Sequence, residues 1–124
     1  MLLDRQLEQG GWNYGNLSVY GKQLRAMPES TGLALNALAG RISPERVHKS
    51  LLYLRKRVGG LRTPLSLGWS ILGLGAWDER PWEAERLILQ CLERQSVYGS
   101  YNTQQLSLLL ISLFGRRGLL SVFA

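Results

Sequence analysis
Two kinds of apolar segment alternate along the chain. Residues 44–57 and 81–95 carry charges on one side and an apolar stripe on the other. Val47, Leu51, Leu54 and Val58 recur at spacings of four, three and four, as do Ala84, Ile88, Cys91 and Gln95. Such a stripe marks a helix lying on a core with its far face in water. Residues 31–39, 65–76 and 106–114 contain no charge at all, and a helix without a polar face must be surrounded by protein. Half-exposed outer helices wrapped around buried inner helices satisfy both kinds, which predicts an all-α array of helical hairpins. The punctuation agrees. Ser43-Pro44-Glu45 and Thr63-Pro64 place a capping residue before a first-turn proline, and Gly40, Gly59 and Gly115 follow helix ends. Glu45 and Lys49 are spaced for an i,i+4 ion pair, worth about 0.2–0.5 kcal/mol.

Internal repetition sharpens the array. Setting Pro44 on Trp82 superimposes Glu45 on Glu83 and Leu51 on Leu89, a period of 38, while Ser30 to Leu35 parallels Ser66 to Ile71. A stronger match joins the chain ends: Arg5 to Asn13 and Arg94 to Asn102 align without a gap, and both read Arg-Gln-x3-Gly-small-aromatic-Asn. The chain is thus expected to open on the end of an outer helix, Met1 to Glu8, and to hold about three hairpins. Residues 16–27 form an insertion that the later repeat lacks, a length that suits a lid or a contact surface.

Composition narrows the classes. A chain of 124 residues fits one domain, burying roughly 65% of the surface it exposes unfolded. Apolar types at 45% and charged types at 19% exclude a disordered tail. One Cys and one His exclude an internal disulfide and a usual four-ligand zinc site. Met1-Leu2-Leu3 runs straight into Asp4-Arg5, with no signal-peptide pattern, and the dense apolar run 106–114 is too short to span a bilayer. The expectation is a cytoplasmic protein, at most peripheral to a membrane. The net charge of +6 concentrates at Arg55-Lys56-Arg57, Arg62 and Arg116-Arg117. These runs suit a diphosphate, an anionic lipid or a nucleic acid, but no nucleic-acid motif accompanies them, and solvated helix ends, where cations suit the C-terminal dipole, are the better account.

The repeated turn carries a family resemblance. Gln6-x3-Gly10-x-Trp12 resembles the QW motif of the α/α-toroid repeats in squalene-hopene and oxidosqualene cyclases, and Gln95-x3-Gly99-x-Tyr101 is a copy with Tyr for Trp. Residues 10–15 and 28–35 also resemble bacterial prenyltransferase/squalene-oxidase repeat proteins. The resemblance implies a partial α/α toroid with inner and outer helix layers. In it residues 1–124 form a single repeat domain, the C-terminal part of a larger ring or one that associates with copies of itself through its open edge. The six motif residues then serve as a turn device, with Gln bonding a helix terminus and Gly supplying a positive φ.

The same resemblance implies a terpenoid cyclase or prenyltransferase-like domain handling an isoprenoid, a polycyclic lipid or another apolar ligand. Its catalytic acid motif, D-x-D-D, is not visible here: among the inner-helix starts only Glu29 offers a carboxyl, and capping its own helix is the plainer role. The zinc-dependent branch uses Asp, Cys and His, but Cys91 and His48 fall on different outer helices, so neither a metal nor a cofactor is expected. Trp69, Tyr14, Trp77 and Tyr98 are the candidate substrate-binding aromatics, whose π faces suit an isoprenoid cation or an apolar chain. The alternative is a non-catalytic toroid repeat domain for protein or lipid binding. Neither a nucleic acid nor a transmembrane segment belongs to this expectation.

Overall fold
A computed structural model describes residues 2–13 and 25–123, together with the backbone of 18–19 and 22–23. The fold is all-α. Among the described residues six helices follow in order: α1 (Pro28–Leu38), α2 (His48–Arg57), α3 (Pro64–Ala76), α4 (Ala84–Glu93), the single turn α5 (Gln95–Tyr98) and α6 (Thr103–Phe114). Among the described residues, extended pairing is confined to β1 (Ser18–Val19) and β2 (Lys22–Gln23), antiparallel with Ser18 opposite Gln23, inside the 16–27 insertion.

The helices built on the three uncharged segments, α1 (whose first turn also carries Glu29), α3 and α6, pack with α3 in the middle, and α2 packs against α1 and α3 while α4 packs against α3 and α6. Two layers result because the outer helices have one apolar stripe each. Val47, Leu51, Leu54 and Val58 are buried below α2, as are Ala84, Leu87, Ile88 and Cys91 below α4. These stripes register at a separation of 37 residues, not 38. Leu51 is buried, whereas Leu89, its partner at 38, is 56% exposed. The sequence itself carries this register: Val47, Leu51, Leu54 and Val58 precede Ala84, Ile88, Cys91 and Gln95 by 37, as Pro44 precedes Pro81, so Pro44 belongs with Pro81 and not with Trp82.

Contact between α1 and α3 is the most extensive in the molecule. It is made by backbone. A Cβ on Gly32 would lie 2.2 Å from the Trp69 carbonyl oxygen, and one on Gly73 would lie 2.7 Å from the Gly32 carbonyl oxygen. Across the other side of α3, a Cβ on Gly68 would lie 2.7 Å from Leu108 Cγ of α6, so there a side chain fills the space between the helices.

Several local expectations are corrected. The Met1–Glu8 helix is only a 3-10 turn, Leu3–Arg5, after which Gln6 is extended; so short a segment gains too few hydrogen bonds to offset helix nucleation. Ser43 and Thr63 do precede Pro44 and Pro64, but neither side chain makes a capping bond. A capping box instead starts α6, where Asn102 Oδ1 accepts from Gln105 N–H and Gln105 Oε1 accepts from Asn102 N–H, both at 2.8 Å. Lys49 does not pair with Glu45: its Nζ donates to the Glu8 carbonyl at 3.2 Å. Glu45 sits in the 3-10 turn, where i,i+4 spacing does not align side chains, and hydrogen bonds from its own backbone and from Ser43 lower its carboxyl pKa.

The chargeless helices are not wholly enclosed. Leu106, Leu110 and Phe114 form a stripe at spacings of four along α6, with Leu110 57% and Phe114 68% exposed. Leu33 of α1 and Leu65 of α3 are also about half exposed.

The α1–α3 contact yields a paired prediction. Gly32→Ala should destabilise the fold by about 1–3 kcal/mol, since the new methyl must push two backbones apart. Gly59→Ala, where a Cβ meets nothing within 4 Å, should be neutral or stabilising by about 0.4–1 kcal/mol. Urea unfolding of the two variants measures the contrast.

Candidate functional site
Two of the half-exposed leucines, Leu33 of α1 and Leu65 of α3, face hollows rather than open solvent. Leu33, Ala34 and Ala37 of α1, Leu65 and Trp69 of α3, and Leu2 and Trp12 of the first turn line a cavity of about 460 Å³. A second cavity, about 340 Å³, is lined by the same Leu65 and Trp69 with Leu108 and Ile111 of α6 and Leu119. Trp69 and Leu65 are therefore a ridge between two halves of one apolar surface, running across all three inner helices. Polar groups gather where the helices begin. Glu29 and Ser30 line the first hollow, Gln104, Gln105 and Ser107 the second. Ser66 Oγ donates to Glu29 Oε2 at 2.9 Å, tying the start of α1 to that of α3. A concave apolar surface with a few polar groups at its rim is the usual form of a small-molecule site.

The structure distributes the sequence-derived candidates unevenly. Trp69 lies on the ridge and Glu29 on the rim. Trp77 is elsewhere: its indole Nε1 donates to the Leu35 carbonyl at 2.9 Å, and its ring lines a separate hollow with His48, Glu45 and Glu79. Tyr98, in α5, is 57% exposed and lines neither half of the groove. Tyr14 lies outside the described residues. Leu33, Leu65, Leu108 and Ile111 were not singled out by sequence, because a helix that is apolar all round does not reveal which stripe faces a hollow. Among the described residues no three His, Cys, Asp or Glu side chains gather as a metal site. Cys91 is buried, its thiol 3.5 Å from the Arg62 carbonyl, and burial raises its pKa.

The two copies of the turn motif flank this surface and close in parallel ways. In the first, Trp12 is 3% exposed and its indole donates to the Leu2 carbonyl at 2.9 Å. In the second, the buried Tyr101 hydroxyl donates to the Cys91 carbonyl at 2.6 Å. Each ring thus bonds the carbonyl ten residues before it, at equivalent repeat positions. Gly10 and Gly99 supply left-handed turns at φ +97° and +91°. The glutamines differ. Gln6 Nε2 reaches the Arg46 carbonyl at 3.0 Å, and its Oε1 accepts from buried Ser50. Gln95 turns back on its own repeat, bonding the Leu92 carbonyl and accepting from Tyr101 N–H at 2.8 Å. At the first turn, Ser50 Oγ also accepts from Gly11 N–H at 2.7 Å, and Thr31 Oγ1 from Trp12 N–H at 2.8 Å.

The basic runs are dispersed. Arg55 pairs with Glu79 at 3.0 Å and Arg116 with Glu85 at 3.1 Å. Arg80 donates to the Ser112 and Leu113 carbonyls at 2.7 and 3.3 Å, covering the C-terminal end of α6.

The turns generate two expectations. Trp12→Ala should cost about 3–5 kcal/mol, the range for emptying a buried aromatic site. Tyr101 carries a pH dependence: burial, reinforced by the adjacent Cys91 thiol, lifts its phenol pKa from 10.0 to about 12. Below pH 10 both folded and unfolded chains hold that proton and stability is full. Between pH 10 and 12 only the unfolded chain releases it, so stability falls as pH rises. Urea unfolding at pH 8 and pH 11 should show this loss in the wild type and a smaller one in Tyr101→Phe, the remainder including Tyr53, whose phenol is also raised by burial.

No family model, no curated protein and no solved structure matches the chain.

Proposed function
We propose that this chain is a prenyltransferase/squalene cyclase-like α/α-toroid domain that receives an isoprenoid or another apolar ligand on the inner-helix surface around Trp69. The observation carrying this reading is the groove itself: apolar side chains of three successive chargeless helices converge on two hollows that share one indole ridge. An indole face attracts a carbocation or packs on a polyene chain. The paired turn closures at Trp12 and Tyr101 support the toroid-type repeat. Glu29 is the one carboxyl lining the groove among the described residues, hydrogen-bonded by Ser66. The groove therefore supports ligand reception more directly than protonation of an alkene.

A second reading, a non-catalytic toroid repeat for protein or lipid binding, is favoured by the Leu106–Leu110–Phe114 stripe. That flank of α6 is where a further inner helix, from the remainder of a ring or from another copy of the chain, would pack. Among the described residues no helix is long and apolar enough to cross a membrane.

Native mass spectrometry with farnesol and squalene, both uncharged, tests the groove. The expected result is a retained ligand whose affinity falls at least tenfold in Trp69→Ala and is unchanged in Tyr98→Ala. Wild-type protein that retains neither ligand, or a Trp69→Ala variant that binds as well as wild type, would sink the groove reading.

A further inference from the structure
A separate hollow of about 360 Å³ shares no lining residue with the apolar groove, and its surface is more polar than apolar. Gln9, Gly10, Arg25, Ala26, Tyr53 and Arg57 line it. Tyr53 assembles this site. Its hydroxyl donates to the Ala26 carbonyl at 2.9 Å, fixing the backbone beside Arg25 to α2. One helical turn later, the Arg57 guanidinium lies over the Tyr53 ring, 5.0 Å from its centroid, an arrangement that holds the cation in place. Two arginines far apart in sequence thus border one cavity.

Among the described residues no carboxylate lines this cavity. Glu8 and Glu29, on either side in sequence, line other hollows; burial raises the Tyr53 phenol pKa, the Arg57 charge opposes this and the Glu29 charge adds to it. Neither Arg25 nor Arg57 makes an ion pair among the described residues, unlike Arg55 and Arg116. The C-terminal dipole of α2 contributes about half a negative charge near Arg57, which one guanidinium exceeds. Guanidinium groups present paired N–H donors that match phosphate oxygens, and two of them in one hollow repel each other until an anion intervenes.

We infer that this hollow binds a phosphate-bearing anion, with Arg25 and Arg57 as its ligands and Tyr53 as the residue that positions them. The inference does not depend on the apolar-ligand reading, since the two sites share no residue.

Isothermal titration calorimetry with sodium pyrophosphate at fixed ionic strength tests the free-anion source. Co-sedimentation with phosphatidylcholine vesicles containing phosphatidic acid tests the headgroup source. Saturable binding to either probe is expected, at least tenfold weaker in Arg25→Gln and in Arg57→Gln and unchanged in Arg117→Gln, whose arginine does not line the hollow. Binding to vesicles alone, with the same dependence on Arg25 and Arg57, upholds the site and assigns the source to a lipid headgroup. Tyr53→Leu should weaken binding, and Tyr53→Phe should recover the part owed to ring stacking, with circular dichroism showing all variants folded. Absence of saturable binding to both probes, or an Arg117→Gln variant weakened as much as the pocket variants, overturns the inference.

Discussion

The contact of α1 with α3 through bare backbone at Gly32 and Gly73 is the constraint on which the inner layer depends. Around these two glycines there is no room for a side chain between the helices, so the neighbouring apolar residues lie on the two flanks. One flank is the underside that α2 and α4 cover, where Leu35, Leu67, Ile71 and Leu74 are fully enclosed. The other carries Leu33, Leu65 and Trp69 into the groove. Burial and groove are two consequences of one close approach, and a methyl group between the helices would disturb both.

The outer connections handle their polar groups differently in the two repeats. At the first turn, buried Ser50 and Thr31 accept the backbone N–H groups of Gly11 and Trp12, so one α2 hydroxyl and one α1 hydroxyl tie the turn to two helices. At the second, Tyr101 N–H donates to Gln95 Oε1 of α5 and its hydroxyl donates to the Cys91 carbonyl of α4, both within ten residues of the chain. Buried donors left unpaired would cost about 1–3 kcal/mol each. The first solution makes the turn part of the tertiary core, whereas the second leaves it local, consistent with its more exposed surroundings at Tyr98 and Gly99.

The layer plan was legible because charge segregates so cleanly: stripes at spacings of four and three identify α2 and α4, and chargeless runs identify α1, α3 and α6. The turn motif was legible from identity alone, and its aromatic rings prove to close on equivalent carbonyls. Register was legible in the stripes, which lie 37 residues apart, but matching Leu51 to Leu89 set Pro44 on Trp82 in place of Pro81 and so missed it by one residue. The helix expected over Met1 to Glu8 failed for want of length. The groove was half legible: Trp69 stood out as an aromatic in a chargeless helix, but its leucine neighbours did not differ in sequence from core leucines. Arg57 was read only as part of the basic run Arg55-Lys56-Arg57, and Arg25 escaped notice, because Tyr53, which links them, carries no motif.

The two boundaries of α3 differ in what they are made of, and that difference sets how the groove responds to a guest. Between α1 and α3, carbonyl and Cα atoms abut, so the floor of the larger hollow is inextensible: widening it means separating backbones. Between α3 and α6 the spacer is the Leu108 side chain over Gly68, which can change rotamer at little cost. The groove therefore has a rigid wall and a compliant one. Guests of different bulk would share their placement against α1 and diverge on the α6 side, making the smaller hollow the part that adapts.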